Sequence, residues 1–151
     1  YCLLSMSKID LFCYGTLQSP MVMKAVTGQS FPGKKARLDN WVRYRVHQSE
    51  YPGILPQNNA QVPGVVFFSI DPETLAKLDE FEGEKYERIK VTVTLEDGGT
   101  HQVQVFAIRR EYRHMLSQDS WDFDRFLEKG LARFISWFVE DRRDFSDRGD
   151  L

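Results

Sequence analysis

Two places in the sequence combine residue types that can do chemistry. In residues 11–20, LFCYGTLQSP, an apolar run breaks at Gly15 and passes through Thr16 and Leu17 into a helix-compatible segment. A strand that ends at glycine ahead of a helix leaves successive backbone N–H groups without ladder or helix partners. When such groups face one concavity they bind carboxylates or phosphates. An ordinary tight turn uses the same residue types and is far commoner, so Tyr14, Gly15, Thr16 and Leu17 taken alone read first as a plain turn and second as an anion nest. The second place is DPETLAKLDEFEG, residues 71–83. With Leu75, Leu78 and Phe81 as the apolar stripe of a helix, Glu82 falls only about 40° from the centre of that stripe, while Glu80 points nearly opposite and Asp79 lies at its margin. An inward carboxylate is either ion-paired, with Arg88 or a lysine as the nearest candidates, or exposed to a cavity where desolvation raises its pKa toward that of a general base.

Other chemistry-bearing residues lead nowhere further. His47, His101 and His114 have no ligand spacing, so no metal is expected. Cys13 sits in an apolar run with no basic neighbour and reads as a core residue rather than a nucleophile. No GxSxG, Walker or GxGxxG pattern occurs, and no cofactor is implied.

The elements that must position these groups follow from periodicity and caps. Residues 8–14 form a strand apolar on both faces. Ser19 as cap, Pro20 at the first helical position and Gly28 at the end bound a short helix. Residues 36–46 alternate as a strand with Arg43 and Arg45 on its wet face, and residues 50–59, EYPGILPQNN, are expected as a turn-rich loop beside a pocket. A two-faced apolar strand at 62–70 leads to Asp71 as cap, Pro72 at the first position and a helix closed by Gly83. A hairpin turns at Asp97, Gly98 and Gly99. After a polar loop to about residue 121, the spacing of Phe123, Phe126, Leu127, Leu131, Phe134, Ile135 and Phe138 predicts the longest helix, docked on the sheet. This order has no regular βαβ alternation, so the fold class is α+β, a small mixed barrel-like sheet with helices around it.

Composition bounds the rest. The chain has 151 residues, 42% hydrophobic and 13% aromatic, with a net charge of −2, enough for one domain with a core and no basic block for nucleic acid. Two cysteines exclude a disulfide framework and fit the reducing cytoplasm. Residues 1–7 are expected as a leader or vector-derived remnant, too short for a signal or membrane span, 8–140 as the domain, and 141–151 as a charged tail.

Three segments, LFCYGTL, YPGILP and VPGVVFFSIDPETLAKLDEFEGEKYERIKVTV, resemble in that order the gamma-glutamylcyclotransferase-like family, which includes the AIG2-like proteins and gamma-glutamylamine cyclotransferase. The resemblance spans about residues 8–110. It implies a barrel with a cavity at one end and a cyclising transferase or lyase activity. The backbone of Tyr14, Gly15, Thr16 and Leu17 would hold a substrate alpha-carboxylate, Glu82 would act as acid and base, and Tyr51, Pro52, Tyr86 and Arg88 would bind or position the substrate. It implies no metal or cofactor. The product would be 5-oxoproline and the partner a small gamma-glutamyl amine or amide, with neither nucleic acid nor membrane, in a monomer or weak dimer. The alternative on the same fold is a non-catalytic module that binds a small carboxylate or a protein.

Overall fold

The computed structural model describes residues 7–49 and 51–138. The expected leader at 1–7, all but its last residue, and the expected tail at 141–151 lie outside the described residues. Six strands form one sheet in the order β3-β1-β5-β4-β2-β6, and additional β3–β2 pairing closes the first five into a barrel. In chain order these are β1 (Ile9–Cys13), α1 (Pro20–Thr27), β2 (Gly33–Val46), β3 (Pro52–Ile70), α2 (Pro72–Glu82), β4 (Tyr86–Leu95), β5 (Thr100–Ile108), β6 (Leu116–Ser120), α3 (Phe123–Lys129) and α4 (Leu131–Ser136). Single 3-10 turns at Thr16–Gln18 and Arg110–Met115 complete the path.

β1 is the centre of the architecture, antiparallel to β3 and parallel to β5. Its alternation divides two cores. Phe12 and Tyr14 enter the barrel interior with Ala36, Val62, Val66, Val103 and Val105, whereas Leu11 and Cys13 face the outer layer with Val22, Met23, Leu75, Leu78 and the aromatic residues of α3 and α4. A strand buried on both faces needs apolar residues at every position, which is why its sequence shows no polar alternation.

The helices start and stop as their caps dictate. Val22 N–H donates to Ser19 Oγ at 3.4 Å, and Thr74 N–H donates to the Asp71 carboxylate at 3.1 Å. Pro20 and Pro72 occupy the first helical positions, where a missing N–H costs nothing.

Three expectations are corrected. Residues 52–59 are not a loop but the first half of β3, paired with β2 from Arg45↔Pro52 to Trp41↔Pro56. β1 reaches β3 only from Val65 onward, so Pro52, Pro56 and Pro63 lie where β3 has a single neighbour and a missing donor is tolerated. The polar loop before Trp121 holds β6, added to β2 through Tyr44↔Ser120 and Val46↔Leu116. The long final helix is two short ones, separated at Gly130, so α2 with 11 residues is the longest among the described residues. α3 and α4 still form the expected aromatic layer. Phe134 packs against Tyr51, Phe81 and Phe126 at ring distances of 6.0–6.3 Å.

Candidate active site

β1 ends at Cys13 and the chain turns at once into the 3-10 turn. Gly15 carbonyl accepts from Gln18 N–H at 3.1 Å, and Thr16 carbonyl accepts from Ser19 N–H at 3.1 Å. These bonds consume carbonyls only. The N–H groups of Gly15, Thr16 and Leu17 meet no acceptor among the described residues, and all three residues line one cavity. Gly15 is required by close approach rather than by an unusual φ: a Cβ there would stand 2.9 Å from Pro52 Cγ and 3.0 Å from Pro52 Cδ, and a proline ring has little freedom to withdraw.

α2 delivers Glu82 to the same cavity. The helix stops there because Gly83 takes φ 82°, ψ −172°, a conformation open to glycine, with its N–H on the Asp79 carbonyl at 3.0 Å. Water reaches Glu82 only in part, and its carboxylate has no hydrogen-bond or ion-pair partner among the described residues. Burial, and secondarily the charge of Asp79, push its pKa from 4.5 up to about 8. Its neighbours register the same proximity. Burial and then Glu82 raise the Cys13 thiol, and burial, Glu82 and Tyr51 raise the Tyr86 phenol. Burial, Tyr86 and Glu82 do the same, in that order, to Tyr14.

The cavity holds about 1170 Å3, large for a small-molecule site. Tyr51 and Pro52 form one wall, Phe81 and Tyr86 another, and Cys13 with Phe106 part of the lining. Tyr86 Oη donates to the Pro52 carbonyl at 2.8 Å and locks β4 to β3 across the site, while Tyr14 Oη donates to the Phe106 carbonyl at 2.5 Å inside the barrel. Tyr14 therefore ties the turn to β5 while its phenol stays within reach of the charges of the site.

Arg88 departs from the expected set. It does not line the main cavity, and its guanidinium is committed to Asp79 at 2.7 and 3.1 Å and to Gln104 Oε1 at 2.6 Å. That same geometry removes it as the salt-bridge partner of Glu82. Glu80 is exposed as expected, yet it lines the cavity mouth with Glu84 and Lys85.

Sequence reasoning missed His47, Gln48 and Ser49, the tight connection from β2 to β3, together with Met115 and Trp137. A short polar connection between two strands next to YPG was the available signal for the first three. Nothing in the pattern singled out the last two. Among the described residues no three of His, Cys, Asp and Glu converge as a metal cluster, and no helix is long and apolar enough to cross a membrane.

A chain that, among the described residues, brings three N–H groups without an acceptor and an unpaired carboxyl to one cavity has relatives. The family model described as "Gamma-glutamyl cyclotransferase, AIG2-like" matches residues 11–123, more than half of the chain. AIG2-like protein C of Arabidopsis thaliana is 33% identical over 138 residues, covering 89% of this chain and 80% of that protein. The solution structure of an Arabidopsis thaliana protein superposes with a TM-score of 0.67 at 26% identity, covering 89% of this chain and 90% of that one. A structure titled "Gamma-glutamyl cyclotransferase" shares the fold, with a TM-score of 0.60 at 21% identity over 68% of each chain.

Proposed function

We propose that this chain, which belongs to the AIG2-like gamma-glutamyl cyclotransferase family, cyclises a gamma-glutamyl amine or amide to 5-oxoproline and releases the amine. The observation that carries the reading is the shared cavity: Glu82, whose partly desolvated carboxyl has no partner among the described residues, lines the same space as Gly15, Thr16 and Leu17, whose backbone N–H groups have no acceptor there.

The donors of residues 15–17 suit the substrate alpha-carboxylate, since backbone N–H groups bind an anion without a titratable side chain. With that end held, the alpha-amine and the gamma-carbonyl of the same glutamyl unit are confined together, and a five-membered ring closes without rotational loss. Glu82 acts as the proton carrier. Its carboxylate accepts a proton from the alpha-ammonium, and the freed amine attacks the gamma-carbonyl carbon. The tetrahedral intermediate collapses as the carboxylic acid gives its proton to the departing nitrogen, breaking the C–N bond; the regenerated carboxylate takes the surplus proton of the ring nitrogen and passes it to the released amine. A pKa near 8 suits both halves, because the group must hold and release a proton near neutrality. Tyr51, Pro52 and Tyr86 shape the wall around the reacting centre. The room left beyond a glutamyl group favours a sizeable leaving amine, such as a gamma-glutamylamine or an isopeptide.

A screen of gamma-glutamylamines, gamma-glutamyl dipeptides and isopeptides, read by chromatography for 5-oxoproline, tests the activity. Release from at least one substrate is expected, and it should persist after treatment with a chelator. No release from the whole panel, with 5-oxoproline still bound in a titration, would leave a carboxylate-binding module in its place.

A further inference from the structure

Arg43 was expected on the wet face of its strand, yet it is half-buried against the back of the turn at residues 14–17. Its Nη1 donates to the Tyr14 carbonyl at 2.8 Å and to the Pro63 carbonyl at 3.3 Å, and its guanidinium carbon lies 5.2 Å from the ring centroid of the buried Trp121. A charged group in this position is held from three places: the residue after β1, the middle of β3, and the connection from β6 to α3. The charge of Asp122 acts on it, but no carboxylate is hydrogen-bonded to it among the described residues, and its hydrogen bonds go to backbone carbonyls.

The Tyr14 carbonyl and the Gly15 N–H are the two ends of one trans peptide group, so they point in opposite directions. A cation on the carbonyl fixes the plane of that peptide and draws electron density toward oxygen, which strengthens the N–H as a donor. That N–H is one of the three without an acceptor among the described residues. We propose that Arg43 is a positioning residue for carboxylate binding, acting through the Tyr14–Gly15 peptide: it orients and polarises the Gly15 N–H toward the bound anion without touching it. The inference rests on the carboxylate-binding reading of the turn and adds the residue that sets its strength. Pro52, packed against Gly15, also restricts this peptide.

The test compares wild type, Arg43→Lys and Arg43→Met in two measurements. In ligand-free protein, nitrogen-resolved NMR should show the Gly15 amide proton moving upfield in Arg43→Met and less so in Arg43→Lys, with barrel amides such as Val103 and Val105 in place. In calorimetry, Arg43→Met should bind 5-oxoproline about tenfold more weakly, the size of one weakened hydrogen bond to a charged group. Arg43→Lys should recover part of that loss. The carboxamide of 5-oxoproline should lose about twofold or less, because it lacks the charge that the polarised N–H serves. Equal weakening of acid and carboxamide together with a lower Tm would make Arg43 merely structural and overturn the inference. So would unchanged acid affinity with an unmoved Gly15 amide. Failure of wild type itself to bind 5-oxoproline would instead overturn the reading of the turn, and the two failures are therefore distinct.

Discussion

Asp79 and Glu82 lie about one turn apart on α2, and their surroundings differ in kind. Asp79 receives both faces of a planar fork, Arg88 Nε at 2.7 Å and Nη2 at 3.1 Å, and the same arginine continues to Gln104. Glu82 receives nothing from the described residues, and its pKa rises to about 8. The pair at Asp79 is well exposed, so its contribution to stability is modest, but it ties the end of α2 to strands β4 and β5. The difference teaches where this protein uses a cation. One is supplied where the helix must be held, and none, among the described residues, meets the carboxylate proposed to carry a proton. A cation on Glu82 would pin the carboxylate in its charged form and leave it a poor acid.

The largest way to break that contrast is Glu82→Gln. The amide keeps size and hydrogen bonding, but it cannot carry a proton, and turnover should fall by about 10²–10⁴ in a 5-oxoproline release assay. Glu73→Gln, on the exposed first turn of the same helix, is the matched control and should leave turnover unchanged. Next in size is Gly15→Val, whose side chain must displace the Pro52 ring. Titration calorimetry on the folded protein should show 5-oxoproline binding lost, while Thr16→Ser stays close to wild type.

A smaller effect separates the two carboxylates by pH. The rate for the unmodified enzyme should rise as Glu82 ionises, with a midpoint near its pKa of about 8. Asp79→Asn removes a charge that raises that value, so the rising limb should move toward acid. Arg88→Met uncovers the charge of Asp79 and should move it toward alkali. The double variant should follow Asp79→Asn alone, since no charge remains to uncover. Limbs that do not move in these opposite senses would dissolve the contrast.

The last effect is on stability, and there the substitution should act in the opposite sense. A folded-state pKa raised from 4.5 to about 8 means that the native protein holds a proton the unfolded chain has lost. The contribution is fully present below about pH 4.5 and falls away up to about pH 8, with a slope of at most about 1.4 kcal/mol per pH unit. Glu82→Gln should therefore match wild type in Tm near pH 4 and melt above it at pH 8.5, as followed by circular dichroism.

How much of this was legible depends on the range over which each signal acts. The caps at Ser19 and Asp71, the prolines at helix starts and the glycine stops are local, and they appear in the structure where the sequence put them. The inward angle of Glu82 follows from a single helix and was equally readable. Residues 52–56 were misread because prolines mark a loop unless the strand has an idle edge, and the idle edge exists only once the barrel has closed. Gly130 was read through as part of one helix, although a glycine between two short amphipathic segments is also a break. The partner of Arg88 and the inward turn of Arg43 were invisible, because each is settled by a neighbour from another element rather than by its own alternation.

Barrel closure also sets the order in which this protein can assemble. The turn at residues 14–17 takes its footing from β5, through the parallel pairing of Leu11 and Phe12 with Gln104 and Val105 and through the Tyr14–Phe106 hydrogen bond, whose ends are 92 residues apart. Such distant pairings form late, because a long loop must close before they contribute. The hairpins β2–β3 and β4–β5 can form early from neighbouring residues, but the turn at residues 14–17 cannot be in place in a half-folded chain. In a refolding experiment, secondary structure should therefore return before affinity for a small carboxylate, and the lag between the two would time the docking of the first strand onto the fifth.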